Sequence, residues 1–169
     1  MKRPSGALLL ACLLVLAGPW PSPARAAGGG GDGAGPGAAR KPEDPDYTAA
    51  VAAIKANDFA RAIGLLEKVA ARDERNADAL NWLGYATRKA GDPARALPIY
   101  YRALAIDSDH RGAHAYIGEA YLGLDNLGKA KEHLAKLDRL CFFPCAEYTE
   151  LKRAVQAHEA KAGKARSSR

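Results

Sequence analysis

Two cysteines four residues apart, Cys141 and Cys145, are the side chains of this sequence best suited to chemistry. Residues i and i+4 of a helix lie about 6 Å apart along its axis, within the Cα separation that a disulfide tolerates. The same thiolates could instead stay free for redox cycling, or bind copper(I), a soft ion, with a nitrogen from His133 or His158. The spacing alone leaves a disulfide, free thiols and a metal site open.

His110 and His114 have the same spacing, which can suit zinc, but no glutamate follows the first histidine as in zinc metalloproteases. We therefore interpret His114 as a packed core histidine. After residue 26 the serines are Ser108, Ser167 and Ser168, and none lies in a nucleophile elbow. The sequence predicts a protein that is not an enzyme and that holds neither a metal nor a cofactor.

The charge of the chain excludes a nucleic-acid partner. The 169 residues carry a formal net charge of +6, from 25 Lys and Arg against 19 Asp and Glu. Three of these cations, Lys2, Arg3 and Arg25, lie in residues 1–26, which contain no acid, so the remainder has 22 cations against 19 acids. No strongly basic face remains to bind a duplex.

Residues 1–26 have the pattern of a cleaved secretory signal peptide. Two cations precede an apolar run over 7–18, and Ala24-Arg25-Ala26 has the small residues of a cleavage site, which predicts a mature chain that begins at Ala27. The run is shorter than the roughly 20 residues that span a bilayer. An uncleaved signal or lipidation of Cys12 would instead keep the chain at a membrane. We expect a periplasmic or secreted protein.

Two flanking segments are predicted to be disordered. Residues 27–42 are rich in Gly, Ala and Pro and bury too little apolar surface to offset the entropy of ordering. Residues 163–169 form a short basic tail.

The rest of the chain repeats every 34 residues. Leu83-Gly84 recurs as Ile117-Gly118, and each repeat holds two segments with helical apolar spacing. Further positions that recur at this spacing are Ala62, Ala96 and Ala130, and also Leu66, Tyr100 and Leu134. Pro98 interrupts the second helix of the middle repeat and is expected to kink it.

This pattern resembles the tetratricopeptide repeat (TPR) family. The resemblance implies an all-α, right-handed α-solenoid of three TPR helix pairs, with units over 43–76, 77–110 and 111–144. An amphipathic segment over 146–162 is predicted as a capping helix that covers the last apolar face. Together these segments form one TPR domain over 43–162.

In the TPR family the first helix of each unit lines a concave groove that binds a protein or peptide partner. The groove residues that the resemblance implies here are Asn81, Tyr85, Arg88, Lys89 and Glu119. Arg88 could pair with a carboxylate and Asn81 with a peptide backbone; alternatively, these are solvated residues of helix surfaces. The Lys, Asn and Arg clamp with which some family members hold acidic chaperone ends is absent.

We therefore predict a non-enzymatic interaction scaffold of the cell envelope, with a protein partner and no small-molecule substrate. In an exported chain an even pair of cysteines favours a disulfide. The stretch LDRLCFFPCAEYTELKRAV resembles the end of exported bacterial TPR proteins in which paired cysteines precede a Tyr-x-x-Leu helix. Phe142 and Phe143 are then expected to pack near the docked cap. The alternative is a thiol-redox or copper-handling factor that acts through Cys141 and Cys145.

Overall fold

The structure, a computed structural model, describes residues 44–167, and every regular element in that range is a helix. The predicted signal peptide over 1–26 and linker over 27–42 lie outside the described residues. The helices are α1 (Pro45–Lys55), α2 (Phe59–Arg72), α3 (Ala77–Lys89), α4 (Pro93–Ile106), α5 (Arg111–Gly123), α6 (Leu127–Leu140) and α7 (Ala146–Ser167).

A polar side chain caps the start of each helix from α1 to α6; it is an Asp or Asn except at α5, where it is His110. At the second helices, Asp58, Asp92 and Asn126 accept the backbone N–H three residues on, at 2.9–3.1 Å. Each cap satisfies one of the backbone donors that a helix start leaves unpaired. At the third pair Asn126, rather than the preceding Asp125, is the cap.

A left-handed residue closes every turn between paired helices. Asn57, Gly91 and Asp125 have φ of 59°, 102° and 57°, and they lie 34 residues apart. This conformation is open to glycine and, at lower cost, to Asn and Asp. The repeat is therefore present in backbone geometry as well as in side-chain type.

Consecutive helices pack as antiparallel neighbours around a shared apolar interior. The small residues Ala62, Ala96 and Ala130 are fully buried at matching places, where they allow close approach of the helix backbones. Of the other recurring positions, Leu66 and Tyr100 are fully buried and Leu134 is half-buried.

Pro98 lies inside α4, which runs without a break from Pro93 to Ile106. Pro98 and Ala94, whose carbonyl loses its helical donor, both lie on the exposed side of the helix. Water can bond that carbonyl there, so the helix accommodates the proline.

The last helix is longer than the sequence predicts. α7 continues through residue 162 to Ser167, so residues 163–167 are helical rather than part of a disordered tail. Lys164 and Ala165 are good helix formers, which favours this extension. Leu151 and Val155 of α7 are buried against the third helix pair, as expected of a cap. Within residues 44–167, no helix is both long and apolar enough to cross a membrane.

Candidate functional site

Aromatic rings line the face formed by the first helices. Phe59 at the start of α2, Trp82 and Tyr85 on α3, and Tyr116 on α5 form a continuous set, which we call the aromatic row. Ring centroids lie 6.5 Å apart for Phe59 and Tyr85, 5.5 Å for Trp82 and Tyr85, and 4.9 Å for Tyr85 and Tyr116. All four side chains are half-buried. The row therefore offers ring surface to a ligand from a fixed position.

Arg88 lies at one end of the aromatic row. Its guanidinium carbon is 5.5 Å from the ring centre of Tyr85 and 5.6 Å from that of Tyr116, close enough for cation–π attraction to both. Arg88 Nη2 also lies 2.7 Å from Glu119 Oε2, with the two side chains only 15% and 26% exposed. The rings and the carboxylate together fix the guanidinium in one place.

Tyrosine hydroxyls near Arg88 remain protonated at neutral pH. Burial raises the pKa of Tyr116 to about 12. Burial also raises the pKa of Tyr100, and the nearby Arg88 guanidinium opposes this only in part. Neutral phenols donate hydrogen bonds, so Tyr116 is suited to a carbonyl of a bound chain.

The structure brings Tyr85, Arg88 and Glu119 together and places Asn81 differently. Asn81 is only 5% exposed, with its amide nitrogen packed closely against Gly112, so it is not displayed to a ligand as the sequence implied. Position 81 lies on the turn of α3 that faces α5, which buries it. Lys89 is exposed, and its Nζ lies 6.0 Å from the ring centre of Phe59.

Three buried polar atoms near this face make no hydrogen bond within the described part of the chain. They are Asn81 Oδ1, Arg88 Nε and Tyr100 Oη. Buried polar groups in folded proteins almost always have partners, and each exception needs an explanation. All three atoms are buried, so in this conformation they are not exposed to a ligand at the aromatic row.

Cys141 and Cys145 are joined by a disulfide, with Cα atoms 5.8 Å apart. Cys141 ends α6, since its N–H bonds Leu137 O, and Cys145 O accepts the first helical bond of α7 from Thr149. The disulfide therefore ties the end of the third helix pair to the start of the cap. Phe142 and Phe143 do not pack nearby as expected; they are 94% and 77% exposed. The bridge closes a loop of five residues, and both rings of this loop point outward into solvent.

The histidines separate into two roles that the sequence did not distinguish. His110 caps α5, accepting the N–H of Ala113, and its Nε2 lies 3.1 Å from Asp78. His114 is buried, as predicted, but its Nδ1 lies 3.0 Å from Nδ1 of His133, on α6. No group of three or more metal-ligating side chains occurs among residues 44–167.

Sequence reasoning also missed residues of the site itself. Trp82 and Tyr116 are not among the groove residues that the resemblance implies, although they complete the aromatic row. The helical spacing of Trp82 and Tyr85 could have shown that both lie on one face of α3.

The repeat region of the chain matches known protein-family models. Two family models described as tetratricopeptide repeat match residues 47–111 and 88–140, which together span more than half of the chain. The chain belongs to the tetratricopeptide repeat family. A search of curated proteins returned no match.

Solved TPR structures share the fold. The first TPR domain of human RPAP3 is 20% identical, covering 70% of this chain and 93% of that one, with a TM-score of 0.62. The Yersinia enterocolitica type III secretion chaperone SycD, in complex with a peptide of the translocator YopD, is 16% identical, covering 69% and 92%, with a TM-score of 0.61. The second TPR domain of human RPAP3, in complex with an HSP70 peptide, is 23% identical, covering 64% and 91%, with a TM-score of 0.59.

Proposed function

We propose that this TPR protein is a non-enzymatic scaffold that binds a segment of a partner protein along the aromatic row. The observation that carries the proposal is the fixed set of half-buried rings, Trp82, Tyr85 and Tyr116, with Arg88 held against two of them. Tyrosine, tryptophan and arginine are enriched among the residues that dominate the energy of protein interfaces, and the two aromatic residues bury much area at low entropic cost.

The proposal extends the binding mode of structural neighbours. SycD and the second domain of RPAP3 each hold a peptide, and both share this fold. The chain here offers aromatic surface and one paired guanidinium to such a segment. A segment with exposed apolar side chains suits the ring faces, and Tyr116 suits its carbonyls.

We further propose that the scaffold works in the cell envelope. The signal-peptide pattern over 1–26 supports export, and the Cys141–Cys145 disulfide suits an oxidising compartment. Copper(I) binding would require this bond to be reduced to two thiolates, whereas a thiol-redox factor would cycle between the bonded and the reduced pair.

Site-specific photo-crosslinking in the cell tests the proposal. Benzoylphenylalanine replaces Tyr85 in one variant and Tyr101 in a matched control, since Tyr101 is an exposed ring on α4 outside the aromatic row. We expect position 85 to capture one partner, identified with its crosslinked peptide by mass spectrometry, and position 101 to capture none of it. The compartment of that partner tests export.

Equal capture at both positions, or capture at 101 alone, would contradict binding along the aromatic row. Melting curves of both variants ensure that a difference does not come from unfolding.

A further inference from the structure

A cleft beside the aromatic row extends onto the capping helix. It has a volume of about 540 Å³ and lies between α3, α5 and α7. Sites for small ligands and single side chains span about 300–1,000 Å³, so the cleft can hold one extended side chain and its neighbours. Arg88 and Glu119 belong to the groove positions of the repeats, whereas α7, which is not part of the repeats, supplies the other wall of the cleft.

One wall of the cleft is apolar, and two of its side chains are small. Leu122 of α5 faces Ala154 and Ala157 of α7. The two alanines leave the space that longer side chains would fill. A short aliphatic group therefore fits between the helices and buries apolar surface there.

The opposite lining carries excess positive charge. Within the lining, Arg88 and Lys161 are two cations against one carboxylate, that of Glu119, which is already bonded to Arg88. Within residues 44–167 Lys161 has no carboxylate partner, and the adjacent Glu159 pairs with Lys131 instead. Arg88 has five N–H donors and gives one nitrogen to Glu119. A cationic ligand would meet two like charges here, whereas an anion would be attracted.

The rim of the cleft already attracts a carboxylate of this chain. His158 Nε2 lies 3.0 Å from Asp125 Oδ1, although the Asp125 side chain is 92% exposed. Asp125 therefore occupies the imidazole of His158 and, among the described residues, leaves Lys161 as the unpaired cation of the lining.

We infer that the cleft binds a carboxylate carried on a short aliphatic group, presented by an acidic partner segment that continues past the aromatic row. This inference rests on the proposed function, since it specifies the chemistry of the segment that the scaffold holds. The carboxylate lies between Arg88 and Lys161, and the aliphatic part lies against Leu122 and the two alanines of α7.

Nuclear magnetic resonance titration with small probes tests the chemistry without a known partner. Hexanoate and hexanamide share one aliphatic chain and differ in charge. We expect hexanoate to bind in the millimolar range, at least fivefold more tightly than hexanamide, with amide shifts centred on Leu122, Ala157 and Lys161. Lys161→Gln should weaken hexanoate at least threefold and leave hexanamide unchanged. Lys152→Gln, on the same helix outside the cleft, is the matched control.

A peptide pair separates a partner segment from a free acid. A capped Leu-Leu-Glu amide should bind more tightly than its Leu-Leu-Gln counterpart and should lose this preference in Lys161→Gln. Equal binding of hexanoate and hexanamide, or an equal effect of the Lys152 variant, would overturn the inference. Hexanoate binding without either peptide would show a site for free acids and overturn the assignment to a partner segment. Continued capture at position 85 would then leave the proposed function standing.

Discussion

Arg88 makes two kinds of contact with opposite effects on ligand binding. Its attraction to Tyr85 and Tyr116 keeps the guanidinium at the ligand face, while Glu119 neutralises it in advance. Breaking a largely buried pair from one side leaves an uncompensated charge, which is strongly destabilising. A reversal of Arg88 to glutamate would therefore disturb the fold as well as binding, so variants elsewhere in the site are better probes.

Single residues also show where prediction from sequence stops. The chemistry of Tyr85, Arg88 and Glu119 and their common face follow from the repeat register. The burial of Asn81 does not, because it depends on how closely α3 approaches Gly112 of α5. The pairing of His114 with His133 likewise depends on the rotation of α6, which apolar spacing sets only to within one residue.

Adding one carbon atom at Gly84 tests the packing of α3 against α4. A Cβ built there would lie 2.6 Å from Tyr100 Cε1, on a ring that is fully buried and unable to move aside. We expect Gly84→Ala to destabilise the protein by about 1–3 kcal/mol through overpacking. Urea unfolding measures the change.

Gly64 on α2 is the matched control, because a Cβ there would meet no atom within 4 Å. Gly64→Ala should stabilise the protein by about 0.5–1 kcal/mol, the helix preference of alanine over glycine. If Gly84→Ala stabilised the protein as Gly64→Ala does, the contact of α3 with Tyr100 would be wrong.

At the scale of elements, the helix pairs follow from local signals. The caps at Asp58, Asp92 and Asn126 and the left-handed residues at 57, 91 and 125 recur with the repeat. Each acts within four residues of its own position, so sequence suffices to predict it. The connection from α6 to α7 has no repeat to follow, and there the expected packing of Phe142 and Phe143 was wrong.

The third helix pair contains a pH-sensitive contact. His114 Nε2 lies 3.1 Å from Ser108 O, which requires a proton on Nε2 and leaves His114 Nδ1 to accept from His133. Burial, and then the charge of His114, lower the pKa of His133 to about 4, and burial lowers the pKa of His114. Both imidazoles are therefore neutral in the folded protein at pH 7.

Stability should fall as the solution becomes acidic. The unfolded histidines titrate near pH 6.5, so between that value and about 4 the unfolded state binds more protons than the folded state. The contribution of the pair is complete above about pH 6.5 and is lost as the pH falls. We expect the free energy of unfolding to drop by about 1–2 kcal/mol from pH 7.5 to 5, allowing for partial exposure.

His133→Phe should reduce this pH dependence, since it removes the more strongly shifted group and retains a ring beside Tyr121. His158→Phe, outside the pair, should retain it. Urea unfolding at pH 7.5, 6 and 5 measures the slopes. An unchanged slope in His133→Phe would show that the pair does not set it.

At the scale of the whole domain, stability depends on contacts between neighbouring helices. From α1 to α6 the helices pack mainly on their neighbours in the chain, most closely within each helix pair, and α7 covers both α5 and α6. A 34-residue period predicted this arrangement, because a single helix pair cannot bury its own apolar face. The cleft between α3, α5 and α7 was not predictable, since it depends on where a helix outside the repeat docks.

The capping helix α7 covers the apolar face at the end of the repeat array. Leu151 is fully buried, and its Cδ2 would lie 2.5 Å from a Cβ at Gly118, so it fills the place that the glycine leaves open. We expect Leu151→Ala to cost about 2–5 kcal/mol, and Arg153→Ala, an exposed neighbour, to change stability by less than about 0.5 kcal/mol. Thermal unfolding compares the two.

Hydrogen exchange locates the loss. Because contacts run between neighbours, Leu151→Ala should speed exchange in α5 and α6 far more than in α1 and α2, which share no contact with α7. A uniform increase along residues 44–167 would mean that the domain unfolds as one cooperative unit, whereas equal protection in both variants would mean that α7 does not stabilise the third helix pair. If exchange speeds up mainly in α5 and α6, the first two helix pairs stay ordered while the cleft opens. Ligand binding at α7 would then be linked to the stability of that end of the domain alone.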